Sequence, residues 1–420
     1  ENIDIRVNAT EMADALEGTV LKLQGSAEYE LVNNAAADGT NKVEVDLSDA
    51  SGSGTVDLVG QGEFDLIETS ADITANQAEG PLTITTRAGA EDTITVIAGS
   101  GDLTVDAENA ADEITVEAAT LVDEDNDEEV DGDNANDDFI VGNTDGTDID
   151  GDSDTSPDRY ELSAEGSGDV VVSDLAADLD ASLLEGGLDV TLAVSGDFAA
   201  GQVNDVDILL GASSADVDTL DTGATDVTLD ATAMGSGEAL NLDGAGAATV
   251  FGLGDGLSVD GASGDFAGFM DVYTEALGAG ESVDVATGTN TTRVTGESGS
   301  VSIDATDLAD DADASSDDDL TLRGSSAFTI TALSADVMAS GTTGVLTIDT
   351  AEDAGSGSST GDEVKITAGS GDVFVTGSGA SGDVVIDAGE LGSANTATLD
   401  GEAVFTVDAV GSDVTVDAAN

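Results

Sequence analysis

Short runs in which apolar and polar residues alternate recur along this chain about every ten residues, closed by Gly, Ser, Asp or Asn. In the first third they include Leu82–Thr85, Thr93–Val96, Leu103–Val105 and Ile114–Val116. Near the end they include Val364–Ile366, Val373–Val375, Val384–Ile386, Val404–Val407 and Val414–Val416. Alternation in β-branched residues predicts half-buried strands, with Val and Ile inward and Thr or Asp outward. The turns repeat too. Ser-Gly-Asp followed by an apolar residue occurs at Ser100–Leu103, Ser167–Val170, Ser195–Phe198, Ser263–Phe266, Ser370–Val373 and Ser381–Val384. Gly is expected to supply the positive φ of a tight turn, and Asp to bond its own downstream backbone.

A short strand, a tight turn and another short strand, repeated this often, predict an all-β chain. Two architectures suit it. In a β-solenoid, each coil buries a thin apolar interior and stacks on the next at about 4.8 Å. In tandem β-sandwich domains, strands also recur every 8–12 residues or so. Sandwich cores usually hold several large aromatics, whereas this chain has 9 Phe, 3 Tyr and no Trp in 420 residues. The expected fold is therefore the β-solenoid, with tandem sandwiches as the alternative. One short helix is expected near 263–277, where Phe266, Phe269, Met270, Tyr273 and Leu277 fall at helical spacing after a capping Ser263. Such a helix docks on the solenoid or, because aromatics are otherwise rare, anchors a contact between subunits.

Two acidic runs interrupt the pattern. Asp123–Asp158 has little strand pattern apart from Phe139–Val141, and Asp304–Asp319 is a shorter run of the same kind. The expected organisation is an N-terminal β-repeat unit over 1–122, an acidic insertion or linker over 123–158, and a C-terminal β-repeat unit over 159–420.

Charge narrows the function. Acidic residues number 90 against 8 basic ones, for a formal net charge of −82. Such a chain repels phosphate backbones and anionic lipid, so nucleic acid is not an expected partner and cations are. No run approaches the roughly 18 apolar residues of a membrane-spanning helix, so no direct membrane insertion is expected. With no Cys and no His, disulfides, thiol chemistry and imidazole catalysis are excluded. Paired carboxylates alone can hydrolyse glycosides. The lack of Trp and the scarcity of Lys and Arg argue against a sugar-cleaving site, and no enzymatic activity is expected. The absence of Cys and a first residue of Glu1 rather than Met fit a processed, secreted protein. Asn8-Ala9-Thr10 and Asn290-Thr291-Thr292 match the glycosylation sequon.

The acidic insertion is where a bound ion is expected. Calcium takes six to eight oxygen ligands or so, and alternating carboxylates on a loop can wrap one ion. Candidate ligands there are Asp123, Asp125, Asp127, Asp131, Asp133, Asp145, Asp148, Asp150, Asp152 and Asp154, with Asp102 and Asp372 in two of the Ser-Gly-Asp turns. The spacing is not that of an EF-hand, since Ser153 stands sixth from Asp148 and Arg159 twelfth. A solvated loop with a diffuse cloud of counterions is the alternative, and for the turns a purely structural role.

The Ala98-Gly99-Ser100-Gly101-Asp102-Leu103 turn, its near copy Ala368–Val373, and the Asp/Gly/Thr/Ala-rich strands resemble secreted bacterial and archaeal surface-layer proteins and RTX-like β-solenoids. The resemblance covers most of the chain in style. It lacks the intact RTX nonapeptide: Gly99-Ser100-Gly101-Asp102 is one residue short and has no doubled glycine. It implies an extracellular, calcium-dependent protein that assembles with copies of itself. The expected function is accordingly a structural subunit of a surface layer or filament at the cell surface, stabilised by calcium or high salt. A spacer, stalk or binding region of a large secreted adhesin is the alternative.

Overall fold

The computed structural model describes residues 4–8, 20–25, 28–34, 42–50, 55–69, 71–86, 94–99, 101, 103–106, 114–117, 162–167, 169–175, 179–192, 205–219, 226–264, 266–308, 319–351, 364–377, 383–393, 395–408 and 416–419. Its regular structure is all strand, mostly four to six residues per strand. The chain divides into two compact units, Glu1–Val217 and Asp218–Asn420.

Both units are built alike. Successive strands alternate between two sheets, and each strand pairs in parallel with the strand two places before and two places after it. In the first unit Val43–Ala50 pairs with Phe64–Thr69, and that strand with Leu82–Thr86, while the intervening Thr55–Gly60 and Asp72–Ala78 pair in the other sheet. In the second unit Met270–Tyr273 pairs with Thr292–Gly296 and that strand with Leu320–Gly324, while Ser282–Ala286, Ser300–Asp304 and Ala327–Leu333 pair in the other sheet. Each coil thus lays one strand in each of two parallel sheets. This is a β-solenoid, and the uniformly parallel pairing is incompatible with β-sandwiches, whose sheets are antiparallel.

Register turns the alternating pattern into continuous interior columns. Val43, Phe64, Leu82, Leu103, Leu162, Leu179 and Ile208 stand in register on successive coils of the first unit. In the second, Leu240, Val259, Val285, Ile303, Ile330, Ile348, Val375 and Leu399 do the same. Those side chains are at most 4 % exposed. Each buried Val, Leu or Ile contributes about 1.5–3 kcal/mol, and stacking like on like fills most of the interior with aliphatic side chains. Only Phe64, Phe266 and Phe328 are aromatic among the largest fully buried side chains, which explains how a chain with few aromatics closes its core.

Coil length is not fixed. Leu320 pairs with Val337, 17 positions on, and Val337 pairs with Ile366, 29 positions on. Leu320, Val337 and Ile366 nevertheless stay in register. The largest departure is at the acidic run Asp123–Asp158, which lies outside the described residues. Leu103–Asp106 before it pairs directly with Leu162–Gly166 after it, and Ile114–Glu117 with Val170–Leu175.

The helix expected at 263–277 does not form. The strands Ser258–Gly264 and Met270–Tyr273 flank a turn, and Thr274–Leu277 makes a second turn. Phe266, Met270 and Leu277 are buried, as an apolar face would be, but in coil corners and one strand. Gly268 fits the stacked coil. Its Cα packs so closely on the preceding coil that a Cβ would lie 1.7 Å from the Gly246 carbonyl oxygen, an approach a helix would not permit. Among the described residues no helix is long and apolar enough to cross a membrane.

Candidate functional site

Carboxylates dominate the surface, so the first question is what each does. At strand entries one arrangement recurs: an Asp just before the first interior residue accepts the backbone N–H at the same register position one coil on. Asp72 accepts from Thr95 at 3.0 Å, Asp169 from Gly187 at 2.8 Å, Asp336 from Lys365 at 2.7 Å and Asp372 from Thr396 at 2.7 Å. Charge-assisted bonds to backbone N–H are among the stronger neutral-to-ion contacts, so these Asp clip coil to coil. Two of them, Asp169 and Asp372, belong to Ser-Gly-Asp turns. The bond therefore runs to the next coil rather than to the residue's own downstream backbone.

A second arrangement recurs, at the last residue of a strand for Asp230, Asp304 and Asp387 and inside a strand for Asp46, Asp180 and Asp260. Asp46, Asp180, Asp230, Asp260, Asp304 and Asp387 each accept the N–H two residues on, between 2.8 and 3.1 Å. These are Asx turns; the three at strand ends start the corner that follows, and the other three lie within the strand. Hydrogen bonds from the Ser48 hydroxyl and N–H, and then Lys22, hold Asp46 well below the usual carboxylate range, at about 2.

The glycine of the Ser-Gly-Asp turn has its own reason. Gly101 and Gly371 do not adopt a positive φ. A Cβ on Gly371 would instead lie 1.8 Å from the Gly344 carbonyl oxygen of the preceding coil. Close stacking of turn on turn, not left-handed backbone, requires glycine there.

Of the expected metal ligands, Asp372 is the one described. Its carboxylate is committed to Thr396, through the N–H and through the hydroxyl at 3.3 Å. Asp102, Asp123, Asp125, Asp127, Asp131, Asp133, Asp145, Asp148, Asp150, Asp152 and Asp154 lie outside the described residues. Among the described residues no three acidic side chains converge as a metal site would require. The sequon at Asn290 is exposed, and its amide donates to the Ala267 carbonyl at 3.0 Å. Thr292, however, is an interior residue only 1 % exposed, so the folded strand hides half of the motif.

Most cations among the described residues pair with carboxylates. Arg6 pairs with Glu30 at 3.3 Å, Lys22 with Asp46 at 3.0 Å and Arg293 with Asp271 at 2.9 Å, each across adjacent coils in register. Lys42 meets Asp65 at 2.7 Å one coil on. The more exposed of these, those of Arg6, Lys22 and Lys42, contribute at most about 1 kcal/mol each. Carboxylates also face carboxylates in register: the paired Glu30 and Asp65 have Asp57 and Glu44 beside them, and Asp387 stands beside Asp408.

One cluster departs from the acidic surface. On the outer face of a sheet in the second unit, Phe251 and Tyr273 on adjacent coils stack with ring centroids 4.6 Å apart. The Arg293 guanidinium lies 5.2 Å from the centre of the Phe269 ring and bonds the Asp271 carboxylate, which also accepts from the Tyr273 hydroxyl at 3.3 Å. Asp271 is only 5 % exposed. Burial pushes its carboxyl up from the ordinary range against the pull of Arg293, and burial with the neighbouring carboxylate pushes the Tyr273 phenol up. Asp271 Oδ1 and Arg293 Nε are covered and have no hydrogen-bond partner. Arg323 stands one coil further on, in register with Thr295, and is exposed. Sequence reasoning singled out Phe269 and Tyr273 but placed them on a helix. It missed Phe251, Asp271, Arg293 and Arg323, because only register brings them together. Comparison with protein-family models, with curated proteins and with solved structures gives no match to this chain.

Proposed function

We propose that the chain is an extracellular structural protein, a self-assembling subunit of a surface layer or filament, held together by calcium or high salt. The observation that carries this reading is the outer face of the coil stack, where carboxylates such as Asp387 and Asp408 stand in register about 4.8 Å apart. Like charges that close repel even at physiological salt, where the Debye length is about 8 Å. Cations that relieve the repulsion within one molecule serve equally between two molecules. The clips and Asx turns support the same reading, since they commit polar side chains to stiffening the stack. The style of the repeats, similar to surface-layer and RTX-like proteins, agrees with a secreted life, as does the lack of Cys.

Negative-stain microscopy of the purified chain, with calcium and with chelator, tests the proposal. Regular sheets or fibres in calcium support it. Assemblies indifferent to chelator keep the structural role and remove calcium from it. Isolated particles under every condition sink self-assembly and favour a spacer or stalk in an adhesin.

A further inference from the structure

We propose that the outer strip formed by Phe251, Phe269, Tyr273, Arg293 and Arg323 is the surface on which a second copy of this chain docks, bringing an outer carboxylate row against Arg323. The proposal rests on the self-assembly reading and gives it a location.

Charge complementarity identifies the occupant. The chain has only 8 basic residues, and two of them, Arg293 and Arg323, stand on neighbouring coils of this one face. Arg293 is already paired, to Asp271 at 2.9 Å. Arg323 is exposed and makes no contact ion pair among the described residues, although its charge also pulls on the Asp271 carboxylate. Carboxylates outnumber basic groups so heavily that a second copy presents them on nearly any face, and outer rows such as Asp387 with Asp408 present them in register. An exposed guanidinium bonds a carboxylate in two-pronged fashion, which fixes register as well as attracting charge.

Composition points the same way. Aromatic residues and Arg are the side chains that anchor protein–protein interfaces, and acidic residues are depleted there. Three of the chain's 12 Phe and Tyr lie on this strip, Phe269 and Tyr273 half-buried and Phe251 only 9 % exposed beside them. The anchors are preorganised: Tyr273 is stacked on Phe251, and the Arg293 guanidinium is held between Asp271 and Phe269. Little side-chain freedom remains to be lost on docking. Asp271 Oδ1 and Arg293 Nε keep unused bonding capacity at the centre of the strip, which the polar groups of a docked strand can take up after a small side-chain shift.

The chain has only 3 Lys, none of them on this strip, which makes a clean test possible. Arg323→Lys places an amine where a zero-length carbodiimide joins it to a touching carboxylate. Mixing isotopically labelled and unlabelled protein under assembling conditions should give mixed-label peptides in which the amine introduced at position 323 is joined to an Asp or Glu of the other copy. Arg323→Glu and Tyr273→Ala should each raise the critical concentration for assembly at least tenfold, while circular dichroism and melting temperature stay within a few degrees of wild type. If both variants fold and assemble at the wild-type concentration, the strip is not the interface, and self-assembly itself survives. If the wild type never assembles, the underlying reading fails and the inference with it. Unchanged assembly combined with loss of alginate binding in Arg323→Glu would overturn the proposal in favour of an acidic polysaccharide.

Discussion

Asp372 shows how one residue type serves different ends in this chain. By sequence it is a candidate calcium ligand in a glycine-rich turn. In the structure its carboxylate holds the N–H and hydroxyl of Thr396 on the next coil. Asp372→Ala should therefore lower stability by about 1–3 kcal/mol, read from denaturant unfolding, because a backbone donor loses its partner. Asp372→Asn keeps an acceptor oxygen and should lose less. If the alanine variant weakened calcium binding without changing stability, the clip would be the wrong description. Asp46 sets the pH dependence at the same scale. Its carboxyl lies at about 2 in the folded chain against 3.8 ordinarily, so its stabilising contribution is present above about pH 4 and is lost as pH falls toward 2. Asp271 and Tyr273 have the opposite sign: their raised values favour the protonated forms, and what they contribute is lost as pH rises. An acid titration followed by circular dichroism should therefore show Asp46→Asn narrowing the difference in stability between pH 5 and pH 2.

At the scale of the element, most strands could be read directly. Leu82–Thr86, Leu103–Asp106, Val373–Gly377 and Val404–Asp408 form where alternation places them. Alternation reports which face of a strand is buried, and it does so locally. Which strand pairs with which is not local, and coils of unequal length leave no fixed period from which to read it. The same limit explains why a helix is expected at 263–277 where none forms. Phe266, Met270 and Leu277 are three buried residues from one strand and two corners, and their spacing imitates a helical face by accident. It also explains why Arg293 and Asp271 are neighbours in space although 22 positions apart. The interior columns make two predictions. Leu66→Ala, at a position with no exposure, should cost about 2–5 kcal/mol in unfolding free energy, and a loss below about 1 kcal/mol would mean that the column is looser than described. Gly371→Ala forces a Cβ to within 1.8 Å of the Gly344 carbonyl unless the coils separate, and it should lower the melting temperature more than Gly237→Ala, whose Cβ meets nothing within 4 Å but whose φ is +93°.

For the whole molecule the governing quantity is the net charge of −82. Part of the acidity has a structural purpose, in clips and Asx turns that need a carboxylate oxygen. Part stands in register without a basic neighbour, and this part makes cations a condition of stability rather than an accessory. Melting temperature should rise with sodium chloride as the outer rows are screened, and rise further at constant ionic strength if calcium bridges them. A melting curve indifferent to both would mean that the rows cost nothing. The most direct test of the central claim remains the appearance of the purified chain by negative-stain microscopy in millimolar calcium and after chelation at low salt. Ordered sheets or filaments that form with cations and dissolve without them are the predicted result, and isolated particles at every salt and calcium concentration would contradict it.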